Sequence, residues 1–60
     1  MKTVTVYVHR DFIRFVNVIE VSYSDGMCHI TWLANDGSVE PRKVVTSFSV
    51  YNITRVDIVE

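Results

Sequence analysis

The stretch that decides the fold is Ile19-Glu20-Val21-Ser22-Tyr23-Ser24-Asp25-Gly26-Met27-Cys28-His29-Ile30-Thr31-Trp32. Asp25-Gly26 is a strong type I′ turn dipeptide, because both central residues of that turn need positive φ. A two-residue loop sets the register of the strands it joins. It places Ser24 opposite Met27, Tyr23 opposite Cys28, Ser22 opposite His29, Val21 opposite Ile30, Glu20 opposite Thr31 and Ile19 opposite Trp32. In that register the faces sort. Tyr23/Cys28, Val21/Ile30 and Ile19/Trp32 share one face, and Ser22/His29 and Glu20/Thr31 share the other. Like partners across strands stabilise a sheet, and a slip by one residue would scramble them.

Upstream of the hairpin, Val4, Val6 and Val8 alternate with Thr3, Thr5, Tyr7 and His9, the period of a half-buried strand. Arg10-Asp11 is a polar break. Phe12-Ile13-Arg14-Phe15-Val16 is a second short extended segment. Downstream, Asn35-Asp36-Gly37 reads as another turn, and a loop pairing Ala34 with Val39 would continue the apolar face. Pro41 cannot donate to a ladder, so it belongs at an edge, a bulge or a strand end. Val44-Val45, then Thr46 to Tyr51, then Ile53 to Val59 complete the extended runs. A weak repeat relates residues 13–23 to 48–58, and both copies are expected to bend at their asparagine, Asn17 and Asn52.

These signals give an all-β fold of five or six antiparallel strands in meander order. At this length it forms a small Src-homology-3-like barrel or a strongly curled sheet. An open sheet paired with a second copy is the competitor. Sixty residues make one domain, 1–60. A chain this short buries only about 60% of its unfolded surface, so it needs help to be stable. Cys28 is the single cysteine, which excludes an internal disulfide. Cys28, His9 and His29 are too few for a structural zinc site. No metal or cofactor is expected. That leaves tight packing or association with another chain.

The net charge of −1 argues against a nucleic-acid footprint, and Lys2, Arg10, Arg14, Arg42, Lys43 and Arg55 are scattered. No apolar run approaches the roughly 20 residues of a membrane span. Met1 to Thr5 lacks the apolar region of a signal peptide, and a lone thiol suits a reducing compartment. The expectation is a cytoplasmic protein. Asn52-Ile53-Thr54 therefore reads as a chance match to a glycosylation acceptor.

Catalytic chemistry finds no constellation. His29 lies on the less apolar face of the hairpin without a carboxylate or nucleophile assigned beside it. Cys28 should face the core, where a free cysteine behaves as a small hydrophobe. His9-Arg10-Asp11 is the most polar cluster, but a tight turn requires solvated residues. The carboxylates are dispersed, and Gly26 and Gly37 alone make no phosphate loop. The chain is read as no enzyme.

What remains is apolar side chains on outward positions. If Cys28, Ile30 and Trp32 point in, Met27 and Leu33 point out. If Ile13 and Phe15 point in, Phe12 and Val16 point out. If Val56 and Ile58 point in, Val59 points out. A contiguous patch of this kind marks an interface. Phe12, Val16, Met27, His29 and Leu33 are the candidate protein-interface residues, for a protein partner or a second copy in a homodimer.

The opening Thr3-Val4-Thr5-Val6-Tyr7-Val8, the turns Asp25-Gly26 and Asp36-Gly37, and the closing Tyr51-Asn52-Ile53-Thr54-Arg55-Val56-Asp57-Ile58 loosely resemble small uncharacterised β-proteins. Those proteins are encoded by phages and mobile elements of Gram-positive bacteria. Ala34-Asn35 and Pro41-Arg42 depart from that layout. The resemblance implies a small accessory protein that inhibits a host or defence protein by binding it, and it carries over no functional residue. Three functions stay open: a protein-binding accessory or inhibitor, a nucleic-acid-binding barrel, and an enzyme or small-molecule binder. The second requires Arg10, Arg14, Arg42, Lys43 and Arg55 to converge on one face with Tyr or Trp. The third requires a pocket at His29 or His9.

Overall fold

A computed structural model describes residues 1–35, 37 and 40–60. Five strands, β1 (Lys2–Val8), β2 (Asp11–Ser24), β3 (Met27–Ala34), β4 (Arg42–Ser49) and β5 (Arg55–Val59), form one antiparallel sheet in the order β4-β3-β2-β1-β5. There is no α-helix among the described residues. A single 3-10 turn, Val50–Asn52, separates β4 from β5. The first four strands meander, and β5 crosses back to the far edge of β1. No sixth strand forms among the described residues, and the sheet is not closed.

The Asp25-Gly26 turn forms as the dipeptide requires, with φ of 53° and 72°. Five of the six expected pairs are present, from Ser24↔Met27 to Glu20↔Thr31. The sixth is not: Trp32 pairs with Val18. Ile19 is an extra residue on β2, extruded to 42% exposure while Val18 is 1% exposed. A second irregularity lies just before it, where Lys2↔Val18 and Val4↔Phe15 leave β2 one residue longer than β1. Asn17 stands there with φ 57°, the left-handed conformation that Asn accepts at a bulge. Two adjacent bulges, one against each neighbour, shift the phase of the strand. Phe15 and Val18 are buried and Val21 packs against them, so β2 turns its inner face every third residue there instead of every second.

Phe12 to Val16 is therefore not a separate segment but the first half of a long bent strand. That half pairs with β1, and the second half pairs with β3. The bend brings the inner faces of the two wings together. Phe15 on β2 lies 5.9 Å from the Trp32 ring and 6.0 Å from Phe48 on β4, two strands away. Val4, Val6, Phe15, Val18, Cys28 and Ile30 form the core between the wings. Fully burying one such aliphatic side chain stabilises the fold by about 1.5–3 kcal/mol. Trp32 is half-buried and its indole N–H donates to Thr46 Oγ1 at 3.0 Å, as a partly buried indole requires.

The second copy of the weak repeat also changes direction at its asparagine, but as the 3-10 turn ending at Asn52 rather than a bulge. The last strand begins at Arg55, not Ile53, which is half-buried against the core. The exit is pinned by the Thr54 backbone N–H and hydroxyl, which both donate to the Tyr7 carbonyl at 2.8 and 3.1 Å. Pro41 lies immediately before β4, at a strand end. Ala34 pairs with Arg42 rather than Val39. Val39 and Asp36 lie outside the described residues. At Gly37, φ is 90°, and its N–H donates to Asn35 Oδ1 at 3.3 Å.

Candidate functional site

The expected interface residues fall on outward positions, but on two different wings. Phe12 and Val16 are 53% and 54% exposed on the half of β2 that pairs with β1. Met27, His29 and Leu33 are half-buried on β3. Since the inner faces of the wings approach each other, their outer faces turn apart. Phe12 and Val16 lie on β2, and Met27, His29 and Leu33 on β3.

On the β2–β3–β4 wing, His29 is held from both sides. Its Nε2 is hydrogen-bonded to Ser24 Oγ at 3.0 Å and its Nδ1 to Ser47 Oγ at 2.7 Å. A neutral imidazole donates from one nitrogen and accepts at the other, so one serine accepts and the other donates. Three strands are cross-linked by side chains that satisfy one another. Ser47 lies directly across from His29 in the β3–β4 ladder, a non-local pairing that local sequence does not reveal.

On the β5–β1–β2 wing the alternation exposes a different row. The His9-Arg10 turn sets Tyr7 opposite Phe12, and β5 sets Arg55 opposite Tyr7. The two rings lie 6.0 Å apart. The Arg55 guanidinium sits 4.2 Å from the Tyr7 ring centre, and Arg14 sits 5.8 Å from that of Phe12. The result is a row of arginine, tyrosine, phenylalanine and arginine across three strands. Arg55 is also paired with Asp57 at 3.2 Å. Interaction with the Tyr7 side chain first, and with Asp57 second, raises the Arg55 pKa above its ordinary value. Arg14 Nε donates to the Thr5 hydroxyl at 3.4 Å. Asp11 Oδ1 accepts the Phe12 backbone N–H at 2.8 Å, which turns that carboxylate back onto its own strand.

At the end of this row the surface is concave, with a volume of about 480 Å³. It is lined by Tyr7 and Phe12, by the His9-Arg10-Asp11 turn, and by Thr54 and Arg55. His9, with φ 51°, and Arg10 are exposed at the turn. The cluster read as an ordinary solvated turn thus borders a concavity. Of the five cations a nucleic-acid surface would bring together, Arg10 and Arg55 line this concavity, and Arg14 lies outside it beside the Phe12 ring. Arg42 and Lys43 lie at the start of β4, on the other wing.

Cys28 is buried in the core, as its strand position requires. Among the described residues no cluster of three or more His, Cys, Asp or Glu could hold a metal ion. No helix among them is long and apolar enough to cross a membrane. Comparison with protein-family models, with curated proteins and with solved structures returned no match.

Proposed function

We propose that the chain is a small non-enzymatic protein-binding module that acts by occupying a partner's surface. One observation carries this reading. In a chain 48% hydrophobic, only six hydrophobic side chains are buried among the described residues, while ten large ones are exposed. The chain leaves 4415 Å² accessible, where a folded monomer of 6.9 kDa presents about 4000 Å². Apolar side chains held in solvent mark a recognition surface where they gather into a contiguous patch. The strand order and the 3-10 turn before β5 favour a Src-homology-3-like barrel as the architecture that presents it. The resemblance to phage and mobile-element proteins extends the reading to an inhibitor of a host or defence protein in the cytoplasm.

A second reading, a nucleic-acid-binding barrel, is favoured by the convergence of Arg10, Arg14 and Arg55 with Tyr7 and Phe12. Single-strand binders combine aromatic stacking with a positive groove. Selection of a random peptide library on the immobilised chain separates the two. A recognition module returns peptides that converge on a motif. A library that never converges, beside salt-dependent binding of oligothymidylate, would replace the first reading with the second.

A further inference from the structure

We propose that the concavity between the His9-Arg10 turn and β5 is a docking site for a short acidic peptide segment. In that segment a carboxylate side chain lies beside an apolar one. The inference rests on the protein-binding reading and names the chemistry of the partner.

The charge around the site supplies the first argument. Two guanidinium groups, Arg10 and Arg55, line the concavity with one carboxylate, Asp11, and Arg14 and Asp57 lie next to it along the row. Both carboxylates are already engaged, Asp11 with the Phe12 N–H and Asp57 with Arg55. Arg14 and Arg55 are held in place by Thr5, Asp57 and the two rings. Arg10 has no hydrogen-bond or ion-pair partner among the described residues. A guanidinium presents a rigid fork that matches a carboxylate with two parallel hydrogen bonds. An incoming carboxylate meets Arg10 first, with the positive ends of Arg55 and Arg14 behind it.

The Tyr7 and Phe12 rings give the site an apolar side. Arg55 already covers the Tyr7 ring at 4.2 Å. The Phe12 ring, 53% exposed, is the apolar surface left open. It is suited to one aliphatic or aromatic side chain next to the anion. A run of nucleotides fits less well. Arg42 and Lys43, which could extend a phosphate track, lie on the other wing. A volume of about 480 Å³ is within the usual range for a small-ligand or side-chain pocket.

Fluorescence anisotropy on the intact chain tests this with four labelled probes. They are an Asp/Glu peptide with a central Leu, the same peptide with Lys for each acid, the same peptide with Ser for Leu, and oligothymidylate. The acidic Leu peptide is expected to bind at least tenfold more tightly than each other probe. Its affinity should weaken as salt rises. Arg10→Glu and Phe12→Ala should each lower that affinity at least tenfold. Both positions are exposed, and a thermal melt reports that the variants fold. Equal binding of the Lys peptide, tighter binding of oligothymidylate, or acidic-peptide binding indifferent to both variants would overturn the site. Should library selection converge on a motif without acids, the site falls while the binding-module reading stands. Should neither the library nor these peptides bind, both fall.

Discussion

The outer faces of the two wings come from the same alternation of side chains, yet they end in opposite states. On β2–β3–β4 the central polar groups close on one another, with His29 taken at both nitrogens by Ser24 and Ser47. On β5–β1–β2, Arg55 and Arg14 rest on rings beside Asp57 and Thr5, and Arg10 at the turn has no hydrogen-bond or ion-pair partner among the described residues. Hydrogen-bond donors that have found acceptors have little left for a ligand. A guanidinium over an aromatic ring keeps its outward N–H groups. The difference separates a face that holds the sheet together from one equipped to hold something else.

The largest expected effect removes the comparison altogether. Phe15 is the ring that joins the wings through Trp32 and Phe48. Phe15→Ala should cost about 3–5 kcal/mol, against a total stability of roughly 3–9 kcal/mol for a chain of this length. Urea unfolding followed by Trp32 fluorescence should lose most or all of its folded baseline. A shift of the midpoint by only a small fraction would mean that the wings do not depend on this contact.

The next effect belongs to the closed face. His29→Ala removes both serine contacts and should lower stability by about 1 kcal/mol. A double-mutant cycle with Ser47→Ala should show coupling between the two sites. It should leave peptide binding unchanged. Phe12→Ala on the open face should do the reverse. The lost cross-strand contact with Tyr7 costs roughly 0.5 kcal/mol, while binding falls. If His29→Ala weakens binding and Phe12→Ala does not, the assignment of the two faces is inverted.

The smallest effect is at the mouth of the inner face. Tyr23 lies opposite Cys28. Burial first, then Cys28, raises its pKa above the ordinary 10.0. Between the ordinary and the raised value the unfolded chain ionises and the folded chain does not. That stability is fully present below the ordinary pKa and is lost as pH rises through the raised one. Unfolding midpoints measured from about pH 8 to about pH 11 should decline, and Tyr23→Phe should flatten the decline.

Local chemistry made much of this legible. Asp25-Gly26 dictates a turn with two positive φ values, and five cross-strand pairs follow from it. Asn17 announces a bend, but not which neighbour is displaced. The sequence register therefore keeps Ile19 inside, where the structure places Val18. Half of the arginine–aromatic row was within reach. A two-residue turn at His9-Arg10 already implies that Tyr7 faces Phe12. Arg55 was not, because β5 reaches β1 across nearly the whole chain and no local signal reports such a pairing. Ser47 beside His29 escaped for the same reason.

The account stands most directly on an amide chemical-shift titration of the whole chain with the acidic Leu peptide. The predicted result is a set of saturable shifts at Tyr7, His9, Arg10, Phe12 and Arg55, with Ser24, His29 and Ser47 unmoved. Shifts centred on His29 and its serines, or none at a millimolar peptide concentration, would contradict it.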